Sequence, residues 1–355
     1  MQKGAIKVTK AATSKWSSTD FNNLPFGKLF TDHMLIAEYK DGAWGDPEIL
    51  PYGPLHFDPS LATLHYGQSI FEGIKAFRRK DGSAAIFRPY ENLKRFNKSA
   101  HRMAMPDVPE FHFIEGMKHL LALEDKWIPN ADDHSMYIRP FMFGTDEVIG
   151  VGPSSRYYFI IILSPVGPYF SKPLNIYVEE QYVRAAPGGV GYAKTAGNYA
   201  ASLYPAKLAK DKGFDQILWM DAQEHRYVQE CGAMNVFFVL DGKLITPSLD
   251  AGTILDGITR KSIIDLARSL GKTVEERDIL IDELVEGYKK GTLTEAFGAG
   301  TAVTVSKIEV LQYKETKIRL DASKMSIADE LKQTMAAIRN GSAADSLGWM
   351  VGIKD

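Results

Sequence analysis

A single cysteine, Cys231, stands in 355 residues. One thiol cannot close an internal disulfide, and no CxxC or Cys/His spacing suits a metal ion. A reducing compartment fits this, so a cytoplasmic protein is expected. Long apolar runs are lacking as well. The longest is Tyr157–Leu163, far short of the roughly 20 residues of a membrane-spanning helix. An excess of either charge is also absent: 42 Lys and Arg stand against 44 Asp and Glu, a net charge of −2. Nothing therefore draws the chain to nucleic acid or to an anionic membrane. Internal repeats and low-complexity segments are absent. What remains is 45% hydrophobic and 24% charged, the balance of an ordinary globular protein, which excludes disorder and collagen. The length suggests two domains, or three, with core enough to fold without staples.

Residues 1–19 carry four lysines (Lys3, Lys7, Lys10 and Lys15) and no acid. Mitochondrial transit peptides share that bias. With no arginine and no apolar stretch, an ordinary flexible start leading into a first strand is the better reading.

The N-terminal half mixes strands and helices. Residues 35–45 read as a strand and turn, with Asp41-Gly42 at the turn. A helix is predicted from about Pro89 to Met105, with Leu93, Phe96, Ala100 and Met103 in one stripe. A second runs from about His112 to Lys126, with Phe113, Met117, Leu120 and Leu121 inward. The stretch 136–144 alternates like a strand, and Pro140 argues for a place near a sheet edge. The run 157–163 reads as a strand buried on both faces. Three prolines and a glycine in 164–175 read as a linker. Beyond it come a strand near 176–182, a Gly-rich stretch, a helix of about 198–211 and the strand QILWM. Then follow a hairpin over 235–247 with Asp241-Gly242 at its tip, a helix over 258–270 with Ile258, Ile263, Leu266 and Leu270 inward, and a helix from about Ser326.

Several residues could carry chemistry. Lys194 lies between Gly191 and Gly197 among small residues, which would let a bulky ligand approach its amine. Held in an apolar site it would favour the neutral, nucleophilic form; in an exposed loop it would be an ordinary solvated lysine. Tyr199, at the start of a helix, could reach back towards it or simply pack. Glu230 sits among apolar strand residues, so its carboxylate is either turned to solvent or committed to a cation such as a pyridinium. The turns 254–262 and 297–302 look like anion cradles. In the first, Gly257, Ile258 and Thr259 open a helix whose first amides lack intrahelical partners. In the second, Thr301 offers a hydroxyl. Arg95 flanks the apolar stripe of its helix, where it could reach a phosphate or lie in solvent. Strand parity puts Tyr137, Arg139, Phe141 and Phe143 on one face. An arginine among three aromatics is either a carboxylate clamp or a snorkelled surface residue.

In order along the chain, the stretches FGKLFTDHM (26–34), LHYGQSIFEGIKAF (64–77), FRPYENLKRFNKSAHRM (87–103), YIRPFMFG (137–144), GNYAASL (197–203), the segment around Glu230, ILDGITR (254–260) and FGAGTA (297–302) resemble the branched-chain amino acid aminotransferases. The length fits the longer, eukaryote-like subgroup. The resemblance implies a two-domain α+β protein of pyridoxal-phosphate fold type IV, like D-amino acid aminotransferase, with mixed sheets and helices around them. It implies a smaller N-terminal domain over 1–165, a linker over 166–176, and a larger domain over 177–355 carrying the lysine. The activity implied is transamination of leucine, isoleucine and valine with 2-oxoglutarate, using pyridoxal 5′-phosphate, in a homodimer. Lys194 takes the position of the Schiff-base lysine, Tyr199 that of the tyrosine on the cofactor's ring oxygen, and Glu230 that of the carboxylate on the pyridine nitrogen. Arg95, Ile258, Thr259 and Thr301 stand where the phosphate is held. Phe26, Tyr66, Phe71, Tyr137 and Tyr169 match aromatics around the substrate side chain. Arg139, with Tyr66 as a second polar handle, matches the holder of glutamate's distal carboxylate. Thr301 and Ala302 match the turn receiving the α-carboxylate.

The chain also departs from the pattern. Where animal members carry a redox CxxC after the GTA turn, it has Val303 and Ser306, so no thiol switch is expected there. Ala233 replaces a hydroxyl residue, which removes one side-chain hydrogen bond or shifts it to backbone. A D-amino acid aminotransferase or an aminodeoxychorismate lyase of the same fold is the alternative. A non-catalytic protein that kept the fold is disfavoured by the joint presence of the lysine, glutamate and phosphate positions.

Overall fold

The computed structural model describes residues 6–169 and 172–354. They divide into two compact units. The first holds the described residues up to Pro168 together with Ala193–Ala196 and the chain from Ala336 onward; the second holds Tyr169–Tyr192 and Gly197–Met335. The division differs from one domain over 177–355, because hydrogen bonds draw two pieces of that span into the first unit. Residues 193–196 bridge to the strand Ser69–Phe71. The C-terminal strand Met350–Gly352 pairs antiparallel with Ala84–Phe87. Each unit is built on a mixed sheet with helices, the α+β class expected.

The strands of the first unit are β1 (Lys7–Val8), β2 (His33–Lys40), β3 (Ala43–Trp44), β4 (Glu48–Pro51), β5 (Ser69–Phe71), β6 (Ile74–Arg78), β7 (Ala84–Phe87), β8 (Ser135–Gly144) and β9 (Tyr157–Val166). They lie in the order β1-β4-β2-β9-β8-β6-β7 followed by the C-terminal strand, with β3 on β2 and β5 on β8. The β2–β3 turn is made by Asp41 (φ 52°) and Gly42 (φ 79°), the positive pair that a two-residue hairpin requires. The apolar run of β9 lies between β2 and β8, with Phe159, Ile160, Ile161 and Leu163 fully buried. It continues to Val166, through the start of the expected linker.

Pro140 does not mark an edge. β8 is an interior strand, paired with β9 on one side and with β5 and β6 on the other. The missing N–H is tolerated because the partner side is interrupted there. β5 ends at Phe71 opposite Phe141 and β6 begins at Ile74 opposite Ile138, so Glu72 and Gly73 face Pro140 and Arg139 across a break in the ladder. The Pro140 carbonyl still accepts the Glu72 N–H at 2.7 Å.

α1 (Ala62–Tyr66) is a short turn of helix. α2 (Pro89–Arg102) buries Leu93, Phe96 and Ala100 as its pattern predicts. The expected helix 112–126 is three pieces: a π-helical turn Phe111–Glu115, α3 (Gly116–Leu123) and a 3-10 turn Asp125–Trp127, with Phe113, Met117, Leu120 and Leu121 buried. The flexible start lies partly outside the described residues. From Lys7 onward it is tied down: β1 pairs with β4, the Ala11 N–H donates to His33 Nε2 at 2.8 Å and the Lys15 N–H to Asp32 at 2.9 Å.

Lys75 and Arg339 are among the cations that the first unit buries. Burial pushes Lys75 down to about 7, with Arg339 adding repulsion and Asp133 opposing it. Burial pushes Arg339, stacked on the Phe77 and Phe87 rings, down to about 9. An unfolded lysine keeps its proton up to about 10.5, so between these values the unfolded chain binds more protons than the folded one. Stability should therefore rise with pH from about 7 towards 10.5, by at most about 1.4 kcal/mol per pH unit. Lys75→Met is expected to flatten that rise. Urea midpoints of both proteins at neutral and mildly alkaline pH test this, and equal slopes would remove Lys75 as the source.

The second unit orders its strands β12-β11-β10-β17-β16-β13-β14-β15, with β18 on β17. They are β10 (Leu174–Val178), β11 (Gln216–Met220), β12 (Val228–Cys231), β13 (Asn235–Leu240), β14 (Lys243–Thr246), β15 (Val274–Glu276), β16 (Leu293–Gly300), β17 (Thr304–Tyr313) and β18 (Thr316–Arg319). Asp241 and Gly242, both at positive φ, close the β13–β14 hairpin. α4 (Ala196–Asp211), α5 (Ile258–Ser269), α6 (Ile281–Lys290) and α7 (Ser326–Asn340) complete the helices. α5 buries Ile258, Ile263 and Leu266, but Leu270 is 40% exposed because the helix has already ended, with Gly271 at φ 74°. Among the described residues no helix is long and apolar enough to cross a membrane.

Candidate active site

In the first unit the break between β5 and β6 gathers five of the residues singled out above. The Phe71 ring has the Lys194 Nζ 4.7 Å from its centroid and the Arg139 guanidinium 4.6 Å from it. The backbone of Lys194 is pinned on both sides: its carbonyl accepts the Phe71 N–H at 3.0 Å, and its N–H donates to Ser99 Oγ on α2 at 2.9 Å. The amine is thus delivered to Phe71 by backbone bonds that do not depend on its side chain. Arg139 Nη2 donates to the Tyr137 hydroxyl at 2.8 Å, and the Phe26 ring meets Tyr137 edge-on at 4.9 Å. Tyr137 can stand there because residue 73 is glycine; a Cβ at that position would lie 2.4 Å from the tyrosine hydroxyl. Phe26, Phe71, Tyr137, Arg139 and Lys194 therefore form one connected group. Tyr66, at the end of α1, is 41% exposed, with its ring near the neighbouring His65.

Arg95 is buried, as one reading of its helix position allows. It forms a two-pronged ion pair with Glu72, Nε to Oε1 at 2.7 Å and Nη2 to Oε2 at 2.8 Å. Asn92, one turn earlier on α2, donates to the same carboxylate at 2.8 Å.

In the second unit Glu230 is buried and committed to a cation: Arg184 Nε lies 2.7 Å from its Oε2. The Arg184 guanidinium also donates to the Gly191 carbonyl at 2.9 Å and to the Thr253 carbonyl. The other oxygen of Glu230 accepts from Asn235 Nδ2 at 3.2 Å and from the Leu255 N–H at 3.3 Å. Asn235 in turn packs against the residue before α5: a Cβ on Gly257 would lie 1.9 Å from the Asn235 amide oxygen. Glu230 and the first turn of α5 are thereby fixed to each other. Ile258 and Thr259 are buried at the start of that helix, which has no side-chain cap. Its first N–H groups have no intrahelical partner and can receive an anion.

Thr301 and Ala302 lie in the turn between β16 and β17, beside Ala233 and Met234, because Asn235 pairs with Ala299. Tyr199 sits in the first turns of α4, and Tyr169 is 45% exposed. Burial, with the Glu230 charge adding to it, pushes the Cys231 thiol up to about 12, so it carries no thiolate at neutral pH. Sequence reasoning misses Glu72, Asn92, Arg184 and Asn235. Glu72, Arg184 and Asn235 show there only polarity beside apolar or small neighbours, and Asn92, next to Glu91, shows no signal at all.

A family model described as amino-transferase class IV matches residues 69–310. A probable branched-chain-amino-acid aminotransferase of Staphylococcus aureus (strain MRSA252) is 50% identical over 353 residues, covering 98% of each chain. Branched-chain-amino-acid aminotransferase 2 of Bacillus subtilis (strain 168) is 45% identical, covering 98% of this chain and 97% of its own. Among solved structures, the branched-chain amino acid aminotransferase from Escherichia coli is 25% identical, with TM-score 0.73 over 91% of this chain and 99% of that one. With the site residues held as described and the likeness running nearly end to end, the chain belongs to the class IV aminotransferase family, among its branched-chain-amino-acid aminotransferases.

Proposed function

We propose that the protein transfers the amino group of leucine, isoleucine and valine to 2-oxoglutarate, with the residues above in the roles their positions suggest. The observation that carries this reading is the Phe71 ring, against which both the Lys194 amine and the Arg139 guanidinium lie. That arrangement supports reading the amine as the nucleophile and the guanidinium as the carboxylate clamp of one aromatic-walled pocket.

Class IV aminotransferases use pyridoxal 5′-phosphate, and the residues present fit that group. They include an amine for its aldehyde, a buried carboxylate for its pyridine nitrogen, and an uncapped buried helix start with a buried arginine for its phosphate. Bound, the cofactor supplies an electron sink. Lys194 would hold the cofactor through its amine and, when freed by the substrate, would move the substrate's Cα proton. Glu230 would hold a proton at the pyridine nitrogen, and Arg184 and Asn235 hold that carboxylate in place. Tyr199 would donate to the ring oxygen. Arg95, Ile258, Thr259 and Thr301 would bind the phosphate. Thr301 and Ala302 receive the substrate α-carboxylate through the turn they form.

Phe26, Phe71 and Tyr137 exclude water from the substrate side chain, with Tyr66 and Tyr169 as further walls. Leucine and glutamate must use one pocket, so an apolar wall needs a polar handle. Arg139, steadied by the Tyr137 hydroxyl, is placed to be that handle. Arg139→Met keeps the stem's packing and should separate the half-reactions. Leucine should change little, while glutamate loses a charge-assisted hydrogen bond of about 1.5–3 kcal/mol, roughly ten- to a hundredfold in kcat/KM. Each half-reaction measured alone on one preparation tests this. Equal losses would make Arg139 structural and move the handle to Tyr66 or to another subunit.

We further place the enzyme in the cytoplasm, where its lone cysteine fits, and read it as a homodimer. The exposed apolar residues Ile149 and Val151 offer surface that a second copy would cover. A panel of amino donors with 2-oxoglutarate tests the substrate range, and sedimentation tests the dimer.

A further inference from the structure

We infer that Glu72 is a positioning residue for cofactor binding, one that aims Arg95 at the phosphate. The inference rests on the proposed phosphate role of Arg95 and adds what makes that arginine competent. Glu72 is fully buried in the β5–β6 break, where its backbone N–H is held by the Pro140 carbonyl at 2.7 Å. A buried carboxylate needs donors, and this one is well supplied. Arg95 Nε and Nη2 donate at 2.7 and 2.8 Å, Asn92 Nδ2 at 2.8 Å, and the Gly73 N–H at 3.2 Å. Asn92 and Arg95 lie three residues apart on one face of α2, so a single carboxylate fixes both.

The two parallel bonds to Arg95 set the plane of its guanidinium as well as its position. Residue 71, immediately before this glutamate, carries the ring against which Lys194 and Arg139 lie. One turn of backbone thus sets both the wall and the anion holder.

Electrostatics gives the inference a distinctive sign. A buried carboxylate near a phosphate repels it, so a purely Coulombic role predicts that neutralising Glu72 tightens cofactor binding. A positioning role predicts the reverse. Glutamine offers one acceptor and one N–H₂ where the arginine needs two acceptors, so the two-pronged pair cannot persist.

The test titrates the full chain, stripped of cofactor, with pyridoxal 5′-phosphate and separately with pyridoxal, which lacks the phosphate. Glu72→Gln is expected to raise the dissociation constant for pyridoxal 5′-phosphate at least about tenfold and to change that for pyridoxal less than about twofold. Glu72→Asp, which keeps the charge but draws the carboxylate back by one methylene, should show the same selectivity to a smaller degree. It serves as the test if the glutamine variant does not fold. The double variant Glu72→Gln/Arg95→Gln should bind no worse than Arg95→Gln alone. Unchanged or tighter binding of the phosphorylated form, or parallel losses for both compounds, would overturn the inference. If Arg95→Gln itself failed to discriminate the two compounds, the phosphate reading of Arg95 would fall first, and the role of Glu72 with it.

Discussion

Replacing Lys194 with alanine is expected to abolish turnover while leaving the fold intact. The bonds that hold this segment join the Lys194 carbonyl to the Phe71 N–H and its N–H to Ser99, and alanine keeps both. What is lost is the amine alone. In the proposed mechanism that amine both attaches the cofactor and moves the Cα proton. A positioned acid–base group contributes up to about ten-thousandfold, and loss of the nucleophile adds to it. The expected deficit is therefore at least about that factor. Transamination assays should find no turnover, and borohydride treatment should leave no reduced cofactor on any lysine. Near-wild-type rates, or a reduced adduct on a different lysine, would assign the attachment elsewhere.

Glu230→Gln is expected to retain cofactor and lose most of its rate. Glutamine is isosteric and still offers an acceptor to Asn235 and the Leu255 N–H, so the pocket should survive. A neutral amide does not hold a proton on the pyridine nitrogen as a carboxylate does, and the electron sink becomes shallower. Arg184 also loses its charged partner at 2.7 Å and becomes a buried cation with no counter-charge from residue 230, which in the proposed mechanism would disfavour that proton further. The loss should be on the order of a hundredfold or more, comparable to removing a key electrostatic group. Stopped-flow measurement of Cα proton abstraction in a single turnover reads this step directly. An unchanged rate would take Glu230 out of the mechanism.

The sequence carries the local signals well and the long-range ones poorly. Asp41-Gly42 and Asp241-Gly242 name their hairpins because a two-residue turn needs positive φ at both positions. The β9 run names itself because only an interior strand tolerates so many apolar residues in succession. Pro140 misleads because a missing N–H can be accommodated opposite a break in the neighbouring strand as well as at an edge, and the break at Glu72–Gly73 is a property of pairing. Periodicity finds the apolar face of 112–126, but it carries no information on hydrogen-bond register, so the π and 3-10 turns are invisible to it. The C-terminal strand Met350–Gly352 is too short to show any pattern.

The same contrast runs through the site. Lys194 is conspicuous for its small neighbours, and Arg139 for the aromatics that share its face. Glu72, Arg184 and Asn235 are not conspicuous. Each acquires its role from a partner brought to it by folding, and nothing in its own neighbourhood announces that partner. Those same residues settle whether Arg95 and Glu230 face solvent or a counter-ion.

The visible absorbance of the purified protein, followed on adding leucine alone and then 2-oxoglutarate, is the most direct test of the proposed transamination. Leucine is expected to remove the cofactor's band without a second substrate, and 2-oxoglutarate to restore it, with glutamate released in step. A band that leucine leaves unchanged while a D-amino acid removes it, or one that 2-oxoglutarate fails to restore, would contradict the proposal.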